Sequence, residues 1–181
     1  SMLFNTEQFT KDIETAYRRM YDRYFDGETP AHLFVDEQES HHSHATSPTP
    51  AQEQVDALIA LYNQGQLEEV VTRANALIEQ FPQAIGLYNI LGTANAGLQR
   101  HDAAIANFSH ALKIKPDYAE AHYNLGNTHF ITDKLTGAIE SYNQAIQIKP
   151  DYVEAHYNLG NALKKTGDLA EAIESYKRAI E

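Results

Sequence analysis

Four residues recur at a fixed spacing in this chain and could do chemistry. Glu120, Tyr123, Asn124 and Asn127 are followed by Glu154, Tyr157, Asn158 and Asn161, each 34 residues on, as 154 − 120 = 34. The offsets within each set put it on one face of a helix. A primary amide donates and accepts at once, so a row of asparagines can match a peptide unit whatever side chain that unit carries. One step upstream the same positions hold Gly86, Asn89, Ile90 and Thr93. The chemistry on offer is hydrogen bonding to an extended chain. The alternative is internal: Asn124 and Asn158 tie neighbouring helices together, which leaves Asn127 and Asn161, one turn further on, as the better ligand candidates.

Other reactive side chains fit a blander account. His122, His156 and His129 invite an acid–base or metal role, but they fall on the apolar stripe, where a buried histidine in place of an aromatic is the expectation. Glu171 and Glu174 lie on a solvated face with Lys177 and Arg178 in ordinary helical pairs. His41, His42 and His44 carry imidazoles suited to zinc, copper or nickel, yet no cysteine or fourth spaced ligand accompanies them. We find no nucleophile triad, phosphate loop or metal-ligand spacing, so the expectation is a non-enzyme with no cofactor and no metal site. The formal net charge of −11 disfavours a nucleic-acid phosphate backbone. With no cysteine, no long apolar run and no signal-peptide pattern, the sequence reads as a bacterial-type cytoplasmic protein without membrane association, unless a longer chain carries a signal.

The elements that position these residues follow from the period. Gly126 to Gly160 and Pro116 to Pro150 both span 34 residues, and the same step backwards reaches Gly92 and Pro82. With Ala119 and Val153 as position 1, positions 4, 7, 8 and 11 are His122, Leu125, Gly126 and His129, then His156, Leu159, Gly160 and Leu163. That is one helical face. Positions 20, 24 and 27 (Ala138, Tyr142, Ala145; Ala172, Tyr176, Ala179) form a second apolar stripe. Polar breaks near 63–66, 97–101, 133–135 and 166–168 separate the two, so each repeat reads as a helical hairpin. Small residues at positions 8 and 20 permit close approach, and the aromatic at 24 fills the space beside them. Proline at position 32 ends the second helix, and Asp117 and Asp151 are the expected N-caps of the next one.

This pattern resembles the tetratricopeptide repeat (TPR). The resemblance covers Ala51 to Glu181 in four units, 51–84, 85–118, 119–152 and a shortened 153–181. The third and fourth keep most consensus positions, with histidine for the usual aromatic at position 4. The second keeps Tyr88, Leu91, Gly92, Ala104, Phe108, Ala111 and Pro116. The first is looser, with Ala57 and Leu58 where Leu-Gly is expected and Val70, Ala74 and Leu77 in the second stripe. The resemblance implies an all-α right-handed superhelix whose concave groove is lined by the Glu, Tyr and Asn set above. It also implies a non-catalytic interaction scaffold that binds an extended peptide or partner protein. The Lys and Arg residues with which some repeats of this kind clamp a C-terminal carboxylate are absent from that face, which argues against an acidic-tail ligand.

Residues 1–35 are different. Phe9, Ile13, Ala16, Tyr17, Met20 and Tyr24 recur on one helical face and predict a single amphipathic helix over Leu3 to Asp26. The wording LFNTEQFTKDIETAYRRMYDRYFDGETPAHLFV is similar to the extreme C-terminal segment of bacterial O-linked N-acetylglucosamine transferases of the SPINDLY type. None of that family's catalytic or nucleotide-binding residues has a counterpart here. The likeness implies a glycosyltransferase context, and the amide row resembles the ladder with which that family's repeats hold peptide backbone. Residues 36–50, polar and with two prolines near the end, read as a flexible linker. Two further readings follow: a detached substrate-recruiting portion of such a transferase, with a glycosyltransferase chain as partner, or a self-associating fragment. The last repeat stops at position 29 without a polar cap, which predicts a longer chain or homo-oligomer pairing through that end or the N-terminal helix.

Overall fold

A computed structural model of the protein describes residues 49–180. These residues form eight helices: α1 (Gln52–Asn63), α2 (Leu67–Gln80), α3 (Ile85–Gly97), α4 (His101–Ile114), α5 (Ala119–Ile131), α6 (Leu135–Ile148), α7 (Val153–Thr166) and α8 (Leu169–Ile180). The predicted amphipathic helix, almost all of the linker and the His41, His42, His44 cluster lie outside the described residues.

Each hairpin turn is built the same way. At the C-terminus of α1, α3, α5 and α7 one residue takes the left-handed conformation: Gly65 (φ 74°), Gln99 (60°), Asp133 (60°) and Gly167 (97°). The next residue's N–H then reaches a carbonyl five residues back, as in Gln66 to Leu61, Arg100 to Asn95, Lys134 to His129 and Asp168 to Leu163. This is the Schellman closure, which satisfies carbonyls that a helix end leaves orphaned. Glycine takes that conformation without a Cβ penalty at two of the four turns.

The starts of the first helices depart from expectation. Tyr118 and Tyr152 are the N-caps of α5 and α7, in place of Asp117 and Asp151, and neither makes a side-chain capping bond. The tyrosines sit there because their rings are drawn inward: Tyr152 is buried beside Tyr123.

Packing between the two helices of a hairpin depends on a glycine against an aromatic. A Cβ added at Gly92, Gly126 or Gly160 would meet Phe108 at 2.5 Å, Tyr142 at 2.7 Å or Tyr176 at 2.6 Å. In the first hairpin the large residue sits on the other helix. Leu58 stands at the glycine position and Ala74 at the aromatic position, both in one buried cluster with Val70 and Leu77. The histidines at position 4 also differ from expectation, being half-buried. His122 Nε2 bonds the Pro116 carbonyl and His156 Nε2 the Pro150 carbonyl, both at 2.9 Å. Tyr88 donates its hydroxyl to the Pro82 carbonyl at the same place. The histidine therefore replaces the aromatic's hydrogen bond as well as its bulk.

Second helices pack on the next first helix, and first helices also approach one another, α1 to α3, α3 to α5 and α5 to α7. The array thus curves as a superhelix with its first helices on the inner side.

Candidate peptide-binding face

The sequence-predicted residues come together on that inner side, where a lateral network joins one repeat to the next. Asn124 donates its amide to Asn89 Oδ1 at 3.0 Å. One repeat on, Asn158 donates to Asn127 Oδ1 at 2.9 Å and to the Tyr123 hydroxyl at 3.2 Å. Asn127 Oδ1 also accepts the Tyr142 hydroxyl at 2.8 Å, and Asn161 Oδ1 accepts that of Tyr176 at 2.9 Å. The amides at position 6 therefore tie neighbouring repeats, and those at position 9 tie the two helices of one hairpin.

This division decides what each residue offers a ligand. Asn89 is 5% exposed and Tyr123 8%, because the following repeat covers both. Thr93, half-buried, returns its hydroxyl to the Asn89 carbonyl at 2.9 Å. Glu120, Asn124, Asn127, Glu154, Tyr157, Asn158 and Asn161 keep partly exposed surface. The Asn127 side-chain oxygen takes two hydrogen bonds and that of Asn161 takes one. At position 9 the spare acceptor capacity is consequently greater at Asn161 than at Asn127.

Burial and acidic neighbours set the electrostatics. Burial first, and then the Glu120 carboxylate, push the Tyr118 hydroxyl well above its ordinary value. Tyr152 is raised by burial, then by Tyr123, Glu120 and Glu154. Tyr123 is raised by burial, opposed by its bonds to Asn127 and Asn158. The two glutamates therefore face a row of neutral phenols. Positions 2, 5, 6 and 9 of the second to fourth repeats carry no Lys or Arg, so the face is acidic with neutral donors and acceptors between the carboxylates.

Tyr118 and Tyr152 are members of this face that the sequence reading passed over. Tyr118 shares a hydrogen bond with Asn89, and the Tyr152 ring lies 5.0 Å from that of Tyr123. Their 34-residue spacing is visible in the sequence, which does not show that their rings turn inward. His129 lies on the packing side, its Nδ1 buried without a partner. Its ring touches Gly137, and burial holds its pKa below the ordinary value, with Lys134 adding to the effect. Among the described residues no group of three His, Asp or Glu side chains is placed to hold a metal ion. No described helix is long and apolar enough to cross a membrane.

Fold and site together define a helical-hairpin repeat protein with an amide-lined inner face. Residues 97–132 and 126–167 match the family described as TPR repeat, and residues 154–181 the family described as tetratricopeptide repeat, so over these residues the hairpins are tetratricopeptide repeats. Among solved structures, a crystal structure of MamA is similar with a TM-score of 0.67 and 26% identity, over 70% of this chain and 74% of that one. A second MamA crystal structure gives 0.65 and 26%, over 70% and 69%. MamA 41-end from Desulfovibrio magneticus RS-1 gives 0.64 and 22%, over 69% and 71%. No curated protein matches the chain in sequence. The family matches begin at residue 97, and no comparison supports the expected likeness of residues 3–35 to the glycosyltransferases.

Proposed function

We propose that this protein is an interaction scaffold whose inner face binds an extended peptide segment of a partner protein. One observation supports the reading: on the inner face of α5 and again of α7 a half-buried carboxylate is followed by two half-buried amides, with no cation among them. Asn158 Oδ1, whose amide N–H groups are already given to Asn127 and Tyr123, accepts from a peptide N–H, and the Asn161 amide N–H groups donate to a peptide C=O, both without regard to sequence. Glu120 and Glu154 add a preference for a Lys or Arg side chain on the bound segment, since a charge-assisted hydrogen bond is worth about 1.5–3 kcal/mol. The ligand is thus an extended segment with a basic residue, in keeping with a face that carries no clamp for an acidic tail.

Selection from displayed random linear peptides, run in parallel on the full chain and on Glu120→Gln/Glu154→Gln, tests this. The full chain should enrich basic extended sequences that the variant binds about tenfold or more weakly. Enrichment of acidic peptides, or equal binding by both proteins, would refute it.

A further inference from the structure

In each repeat, positions 3, 7 and 10 of the first helix receive the repeat before it. In α3 these are Leu87, Leu91 and Ala94, buried in one cluster with Val70, Ala74 and Leu77 of α2. In α7 they are Ala155, Leu159 and Ala162, buried with Ala138, Tyr142 and Ala145 of α6. In α1 the same positions are Glu53, Ala57 and Ala60, and all three are exposed. Beside them an apolar groove of about 280 Å³ runs between α1 and α2, lined by Gln54, Ala57, Leu58, Arg73, Ala76 and Leu77. The second repeat closes the corresponding gap itself. Tyr88 and His110, which stand where Gln54 and Ala76 stand in the first, stack at 4.2 Å.

What covers such a face elsewhere in the array is a helix with apolar residues at i, i+4 and i+7. Val70, Ala74 and Leu77 do this from α2, Ala138, Tyr142 and Ala145 from α6. The chain ahead of α1 holds the same spacing once more in Ile13, Tyr17 and Met20, with Phe9 and Tyr24 continuing the stripe. Its residues are large where the groove walls, Ala57 and Ala76, are small. Residues 27–48 stand between that stripe and α1, and at about 3.3 Å per residue they can span any path to a groove one turn inside α1.

We propose that residues 9–24, which lie outside the described residues, occupy this groove and close the open face of the first repeat through Ile13, Tyr17 and Met20. Hydrogen exchange on the full chain tests it. Amides 9–24 should exchange more than about tenfold slower than an unstructured reference, independently of protein concentration. Ala57→Glu/Ala76→Glu, at exposed positions, should remove that protection and leave residues 85–180 unchanged, and Met20→Lys should do the same from the other side. Unprotected amides in the natural sequence overturn the proposal, as does protection that survives both sets of substitutions. Protection that grows with concentration also overturns it and assigns the groove to a second copy.

Discussion

Tyr118 and Tyr152 occupy the same position in successive repeats, yet their hydroxyls fare differently. Tyr118 finds Asn89, whereas Tyr152 meets Tyr123 at the equivalent place and its buried hydroxyl has no partner. An orphaned buried hydroxyl carries a desolvation penalty of about 1–3 kcal/mol. Tyr152→Phe should therefore leave stability unchanged or raise it by about 1 kcal/mol in urea melts, while Tyr118→Phe lowers it. The same burial gives the phenols a pH signature. Tyr118, Tyr123, Tyr142 and Tyr152 are all raised above their ordinary value of 10, chiefly by burial, and Tyr176 is pushed up to about 12. The unfolded chain releases these protons first as pH rises. The stability they contribute is full below pH 10 and is lost towards the folded-state values. Phenolate absorbance should accordingly appear together with loss of helical circular dichroism above pH 10, and phenolate formed in a fully helical protein would count against it.

At the scale of the element, turns and hairpin cores show what local sequence specifies. The turn sites were legible as polar breaks, but the left-handed residue in each was not, because only Gly65 and Gly167 advertise it. Gln99 and Asp133 adopt the conformation because a Schellman closure demands it at that place. A left-handed non-glycine residue costs about 1–2 kcal/mol, so Gln99→Gly should stabilise the protein by about 1 kcal/mol. Asp133→Gly should gain less, since aspartate tolerates the conformation better and its carboxylate pairs with Lys165 at 2.6 Å. The first hairpin looked degenerate in sequence because Leu58 and Ala74 each break the pattern, and only the fold shows that the two departures compensate. Leu58→Gly alone should cost at least about 2–5 kcal/mol as a cavity, and Ala74→Phe alone about 1–3 kcal/mol as overpacking. The double substitution restores the arrangement of the later repeats and should cost clearly less than the sum. Additive costs would mean the two residues do not share one space.

For the whole molecule, the period carried most of the architecture, since helical hairpins of one length stacked by 34-residue translation leave little freedom in how they assemble. The inner face was legible as a row but not as a network. Sequence spacing gives each residue's side of the helix, whereas the contact from Asn124 to Asn89, 35 residues apart, depends on how repeats stack. Hence Asn89 and Tyr123 read as ligand contacts from sequence, and their burial against the next repeat emerges only from the stacked array. The account rests on the remaining exposed carboxylates and amides acting as a binding surface. A titration of isotopically labelled full chain with a selected basic peptide tests that most directly, read at the backbone and side-chain amides. The account predicts shifts concentrated at Glu120, Glu154, Asn158 and Asn161, weakening as salt rises. Shifts confined to the second helices, or binding indifferent to Glu120→Gln/Glu154→Gln, would contradict it.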